Sequence, residues 1–361
     1  MQELRAKLNK LAILKLFAST KLAVILLFFL IVLVVAGTIE QSQTGLYFAR
    51  EKFFDSYLSF IGPIPLPGVL TVLWLMTINL SLSFLLRFNF TKKNTGLILS
   101  HAGLILLFVS GFFHFYFSKE SFISIVETET KATSQAYDKW LLNINSYDKS
   151  FQNKETKSIL LSNTSLDSIE FQDLKLSLEK KYTNAKVFHT PFAGTLIKEF
   201  PIEKEFEKNI PAVKLNLNGE ELFLDGGENN YEKLFIKDRN ILISLDREEY
   251  QMPFQIKLID VQRELHPNSQ IAKSYSSKVF FKDKSLAREA TISMNKPIRS
   301  GSYTIYQAQY GINNDGQEFS VLAVVKNLNY QLPYWATFLI NFGLFLHFII
   351  AFLNYRRKNN A

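Results

Sequence analysis

Four stretches of this chain of 361 residues are too long and too apolar to be ordinary core helices. Residues 22–39 run 18 positions without a charge, 68–86 run 19, 96–117 run 22 and 334–353 run 20. At about 1.5 Å rise per residue, each is long enough to cross a hydrocarbon layer of about 30 Å, given some tolerance at the ends. Core helices of soluble proteins seldom go this far without a charge, so the chain is expected to carry four transmembrane helices. The first run exceeds the apolar part of a cleaved leader. No small-residue cleavage site follows it before Glu40, so it reads as a retained anchor.

Charge then sets the expected orientation. Arg5, Lys7, Lys10, Lys15 and Lys21 precede the first run, against Glu3 alone. Arg87, Lys92 and Lys93 lie between the second and third, and Arg356, Arg357 and Lys358 follow the fourth, with no acid in either segment. Residues 119–333 hold 28 Lys and Arg against 29 Asp and Glu. The net charge of +8 is therefore a topology signal, and no nucleic-acid partner is expected. The expected plan has a basic amphipathic segment at 1–21 on the cytoplasmic membrane surface and helices at 22–39, 68–86, 96–117 and 334–353. An outer loop at 40–67, an inner loop at 87–95, an extracytoplasmic domain at 118–333 and an inner tail at 354–361 complete it. Gly62-Pro63-Ile64-Pro65-Leu66-Pro67 reads as a rigid return into the second helix.

The outer domain reads as β. Short alternating runs occur at 122–126, 140–144, 241–245, 254–261, 278–281, 290–294, 303–307 and 319–325. Val213–Leu217 and Leu222–Leu224 flank Asn218-Gly219, a hairpin signal of type I′. The spacing predicts antiparallel sandwiches or barrels, in one domain or two.

With no cysteine there is no disulfide, no thiolate nucleophile and no thiolate metal site. No P-loop, G-x-S-x-G, H-E-x-x-H or C-x-x-C-H motif occurs. Acidic groups such as Glu248-Glu249 and Glu203/Glu205/Glu207 read as solvated faces. His189 and His266 fall in polar segments, where a surface or structural role is the default. The other three histidines fall in the apolar runs, where ionisable groups mark functional sites. His101 lies five residues from the inner end of the third run and His347 six from the inner end of the fourth, so the two are expected at similar depth. His114 sits at the outer end of the third run among phenylalanines. A neutral imidazole is a usual axial ligand to haem iron. The plainer readings are hydrogen bonding between helices for His101 and His347, and an interfacial position for His114. Ser100, Ala102, Gly103, Ser110 and Gly111 give the third helix small residues, with Gly103 and Gly111 near one face for close helix approach.

Several motifs together make the chain resemble the ResB (CcsB) family of cytochrome c biogenesis proteins. Leu16-Phe17-Ala18-Ser19-Thr20-Lys21-Leu22-Ala23 leads into the first helix, which ends Gly37-Thr38-Ile39-Glu40-Gln41. Asn79 and Arg87 lie at the end of the second helix, and Gly96-Leu97-Ile98-Leu99-Ser100-His101-Ala102-Gly103-Leu104 opens the third. Asn295-Lys296-Pro297 precedes Gly301-Ser302-Tyr303-Thr304-Ile305-Tyr306-Gln307-Ala308-Gln309-Tyr310-Gly311, which is similar to a late block of that family. Much of 130–290 carries no matching motif.

The resemblance implies a non-autonomous subunit of a System II haem lyase complex in a bacterial inner membrane. Such a subunit works with a CcsA-type partner, moves haem b outward and presents it to apocytochrome c. It implies His101 as one axial haem ligand, the other coming from the partner. His347 is added by its depth, as a second ligand or a support for one, and His114 is the weakest candidate. Asn295, Pro297, Gly301, Tyr303, Tyr306, Gln307 and Tyr310 are the candidate contacts for apocytochrome or partner. No other metal ion is expected, and membrane lipid is the surrounding medium. The tryptophan-rich segment of CcsA-type proteins is missing, since only Trp74, Trp140 and Trp335 occur, so the chain resembles the unfused subunit. The alternative is a membrane binding or permease subunit with an outer ligand-binding domain, unrelated to haem.

Overall fold

The structure is a computed structural model. It describes residues 12–359 apart from 88, 149–153, 164–168, 173, 191–193, 218, 228–230, 237, 238, 268, 270, 271, 285 and 314. The described residues form two compact units, one up to Ser118 together with Asn327 onward, the other Lys119–Lys326.

The helical unit holds α1 (Ala12–Phe17), α2 (Thr20–Thr44), α3 (Leu46–Ala49), α4 (Val69–Arg87), α5 (Thr95–Phe117) and α6 (Leu332–Asn359). Four of these, α2, α4, α5 and α6, are long and apolar enough to cross a membrane. The first eleven residues of the expected amphipathic segment lie outside the described residues. Ser19 ends the short break after α1: its hydroxyl accepts from the Lys21 amide at 3.2 Å and caps α2. The Ser19 carbonyl accepts from the Ala23 amide (3.2 Å), and α4 supplies further donors to the break. Asn79 Nδ2 donates to the carbonyls of Phe17 (2.5 Å) and Ser19 (2.9 Å), and Ser83 Oγ to that of Ala18 (3.0 Å).

The segment 40–67, expected as a loop, is structured throughout. α2 continues to Thr44, and after α3 a π-turn over Arg50–Phe54 folds back along it. A Cβ at Gly37 would strike the Phe54 ring, so that glycine admits the returning chain. Phe53 is buried with Leu26, Leu33, Val69 and Val72. The Gly62–Pro67 stretch is not a simple rigid return. It is the turn and second strand of a hairpin, β1 (Leu58–Ile61) with β2 (Ile64–Pro67).

The β unit is antiparallel in every pairing described. Its strands are β3 (Lys119–Val126), β4 (Thr130–Tyr147), β5 (Lys154–Leu160), β6 (Ile169–Phe171), β7 (Leu174–Tyr182), β8 (Ala185–Thr190), β9 (Gly194–Glu199), β10 (Ala212–Leu217), β11 (Glu220–Asp225), β12 (Tyr231–Ile236), β13 (Arg239–Leu265), β14 (Ala272–Lys282), β15 (Ala287–Ser293), β16 (Ile298–Ser300), β17 (Tyr303–Ile312) and β18 (Glu318–Lys326). The main sheet runs β15-β14-β13-β4-β3-β18-β17-β16, with β12 also on β13 and β5 also on β4. A second sheet runs β11-β10-β7-β6, and β8 pairs β9 alone. The β10–β11 hairpin forms at the expected place with Gly219 at φ 100°; Asn218 lies outside the described residues.

Strand β13 joins two cores. Ile241, Ile243 and Leu245 face one core with Leu142, Ile144, Leu215 and Leu224. Met252, Phe254, Ile256 and Leu258 face the other with Ile123, Val279, Phe281 and Leu322. The buried parity changes from odd to even between these halves. Register shifts after Arg247 and after Gln251 accompany the change, with three extra residues on β4 at the first and three on β13 at the second, an odd number that turns a strand's faces over. Sequence alternation therefore predicts two strands where one is present. Arg247 sits at the switch, its guanidinium 4.4 Å from the Trp140 ring and 5.3 Å from that of Phe122. It donates to the carbonyls of Ala136, Tyr137 and Glu207, and burial pulls its pKa down to about 10.

Candidate functional site

His347 lies where α5 meets α6, and His101 is on α5 beside the residues that make this contact. The contact uses absent side chains. A Cβ at Gly96 would collide with the His347 backbone and the Gly343 carbonyl. One at Gly103 would strike Ile340 and the Ala336 carbonyl, and one at Gly343 would strike Ser100. Ser100 Oγ donates within its own helix to Gly96 (3.1 Å) and across to the Ile340 carbonyl (3.2 Å). Gly96, Ser100 and Gly103 follow the i, i+4, i+7 spacing of one helix face. That spacing was present in the sequence. The pair expected instead was Gly103 with Gly111, but a Cβ at Gly111 would meet open space.

This register corrects the equal-depth expectation. Gly96 stands beside His347, so the His101 backbone lies five residues, or about 7.5 Å, further along α5. The expected depth was counted from Leu353, but α6 continues to Asn359. Side chains lean toward their own helix N-terminus, and the two helices pack antiparallel, so the lean narrows this offset.

His101 is half-buried, with Nδ1 2.8 Å from the Leu97 carbonyl. A carbonyl only accepts, so Nδ1 is the donor in this contact, and Nε2 is the nitrogen through which a neutral imidazole would bind a metal. Holding one ring nitrogen this way fixes the orientation and the basicity of the other, as in metal-ligating histidines. His347 is also half-buried, and its Nδ1 is enclosed with no hydrogen-bond partner. Among the described residues it is the one such side-chain atom of the helical unit. His114 is exposed, with Nδ1 3.2 Å from Asn327 Nδ2. His189 pairs with Thr195 Oγ1 at 3.0 Å, and His266 is exposed. Among the described residues no group of three His, Cys, Asp or Glu is placed to hold a metal ion.

The late block of the β unit divides. Tyr303 meets Phe254 edge-on at 5.4 Å, and Tyr310 lies 5.0 Å from the Tyr275 ring. Gln307 is buried and donates to Ser320 Oγ (2.7 Å) and the Gln309 carbonyl (3.0 Å), leaving its Oε1 without a partner. Asn295, Gly301 and Tyr306 are exposed, and Pro297 is half-buried. Gly301 has φ 56° in the turn from β16 to β17. Asn295 also borders a shallow groove of about 590 Å³ beside Tyr275 and Met294.

Residues 235–351 match the model of the ResB-like family. The matched stretch is similar to that family. The match runs from the end of β12 into α6, taking in the late block and His347. The family is associated with cytochrome c biogenesis. No curated protein matches the chain.

Proposed function

We propose that this ResB-like chain crosses a bacterial cytoplasmic membrane four times, both termini inside, and handles haem b as cargo. It works with a CcsA-type partner in System II, for attachment of the haem to apocytochrome c outside. The observation that carries the reading is the contact between His101 Nδ1 and the Leu97 carbonyl. That contact uses Nδ1 and fixes the ring, so Nε2 is the nitrogen a neutral imidazole would offer to haem iron. The helix-one motif and Asn79, both part of the ResB resemblance, are joined by two hydrogen bonds in the fold, which supports a shared architecture.

His347 is the second candidate. Its unpartnered Nδ1 is a buried polar group that a ligand or a partner's side chain would satisfy, and leaving it unmet costs about 1–3 kcal/mol. His114, tied to Asn327, serves the outer end of α5. In the β unit, the exposed Asn295, Gly301 and Tyr306 remain candidates for contact with apocytochrome or partner. Tyr303, Gln307 and Tyr310 hold the sheet together. The chain attaches no haem alone and is one subunit of a lyase complex.

The test is a haem absorption spectrum of the chain purified with its partner. His101→Ala is expected to lose the reduced haem bands at unchanged protein level, and His101→Gly with added imidazole to recover them. Unchanged haem in His101→Ala removes this residue from the mechanism. The same measurement on His347→Ala decides between a ligand, which loses the bands, and a packing residue, which keeps them.

A further inference from the structure

We infer that the β1–β2 hairpin is a lipid-contacting element, lying in the interfacial layer of the outer leaflet beside the ends of α2, α4 and α5. The inference rests on the membrane reading above and is independent of haem.

Residues 56–68 contain no charge. The pairing sets Ile61 opposite Ile64, Phe60 opposite Pro65, Ser59 opposite Leu66 and Leu58 opposite Pro67. Its two faces differ. Ser59 and Leu66 turn inward: Ser59 is buried and donates to the Lys52 carbonyl at 2.9 Å, and Leu66 packs on the core between α2 and α4. Leu58 and Phe60 on the opposite face are 57% and 47% exposed, and Ile61 and Ile64 at the tip, beyond Ser59 and Leu66, are 37% and 59% exposed. Four large apolar side chains without a charge among them form a patch of the kind that meets lipid or protein.

The backbone separates lipid from water as the neighbour. Antiparallel pairs alternate between hydrogen-bonded and non-hydrogen-bonded positions, and residues in the latter aim their amides outward. Proline cannot donate, so Pro65 and Pro67 occupy the non-hydrogen-bonded pairs. The outward edge of β2 therefore lacks the two donors that would otherwise need water, and Pro63 in the turn removes a third. In an apolar layer each unsatisfied amide costs several kcal/mol, so an edge without donors is suited to it. The β1 edge keeps the amides of Leu58 and Phe60, which sets the depth at the interface, where headgroups and water still reach.

The hairpin is also held firmly. The Tyr57 carbonyl accepts from the Gly68 amide (2.9 Å) and from Thr71 Oγ1 (2.7 Å), and Tyr57 Oη is 2.6 Å from Tyr116 Oη at the end of α5. Two tyrosine hydroxyls at the end of an apolar helix mark an interfacial level. Four of the five charges in the preceding segment are paired, Arg50 with Asp55 and Lys52 with Glu40, and Glu51 is exposed. The apolar surface of the helices thus continues into the hairpin.

The test uses the absence of natural cysteine. Ile61→Cys and Ile64→Cys, each labelled with an environment-sensitive fluorophore, are read in full-length protein in phosphatidylcholine vesicles. Quenching by a lipid carrying a nitroxide near the headgroup is compared with quenching by aqueous iodide. Phe28→Cys on α2 and Asp315→Cys in the β17–β18 turn serve as references. Loss of most emission to the lipid quencher at 61 and 64, with little to iodide, supports the inference. If 61 and 64 follow iodide like 315 while 28 follows lipid, the hairpin is solvated and the inference fails. If neither quencher reaches them, protein covers the hairpin and the inference fails too. If 28 itself follows iodide, the membrane reading falls first.

Discussion

The helices α5 and α6 meet where side chains are missing, and the strands of the β unit meet where side chains are largest. Gly96, Gly103 and Gly343 bring two backbones together, with a serine hydroxyl as the polar link. In the β unit, the Phe254 and Phe281 rings lie 5.0 Å apart, tilted against each other, inside a buried apolar core. The difference follows from the proposed solvents. Between helices in lipid there is no hydrophobic drive, because lipid tails are as apolar as leucine, so association depends on close approach. A domain in water gains about 25 cal/mol per Å² of apolar surface buried, so bulk is stabilising.

The largest effect should come from adding bulk where the helices have none. Gly343→Leu places a branched side chain on Ser100 and the Gly96 carbonyl, backbone that cannot move aside. The expected result is destabilisation above about 4 kcal/mol, seen as loss of monodisperse protein in detergent. Wild-type yield and thermal midpoint would show that the two helices do not need this approach. In the β unit, removing bulk is the damaging change. Phe254→Ala should cost about 3–5 kcal/mol by denaturant titration, with the helical unit still inserted. A cost below about 1 kcal/mol would mean that the second core of β13 closes without its aromatic centre.

The same contrast explains how much could be read from sequence. Apolar runs with no charge are a strong, local signal, and the four long helices are where they predict. Local alternation also finds most inner strands. Strand β13 defeats it because its buried parity changes at Arg247, a consequence of register with β4 that no local window contains. β7 (Leu174–Tyr182) is missed because Glu179, Lys180 and Lys181 fall on both faces of its second half. The hairpin at 58–67 is missed because its prolines argue against a strand; they are tolerated on an edge with no partner. At the candidate site, the histidines are visible as rare polar residues in apolar runs. Their relative level is not, since it depends on how α5 and α6 slide against each other. The Nδ1–Leu97 bond, which follows from local helix geometry, needed the rotamer.

The smallest effect tests whether glycine on α5 matters by position or by kind. Gly111 lies on the same helix as Gly96 and Gly103, eight residues beyond the latter, yet a Cβ there meets nothing within 4 Å. An alanine at this position meets no steric cost. It also removes the conformational freedom that glycine adds to the unfolded chain and raises helix propensity, by about 0.4–1 kcal/mol together. Gly111→Ala should therefore leave the thermal midpoint unchanged or raise it slightly, while Gly103→Ala, facing Ile340 and the Ala336 carbonyl, lowers it. Equal losses at both positions would mean that a further surface closes over Gly111. The natural candidate is then a second membrane protein packed on that face of α5, and the comparison between the two units would have to include it.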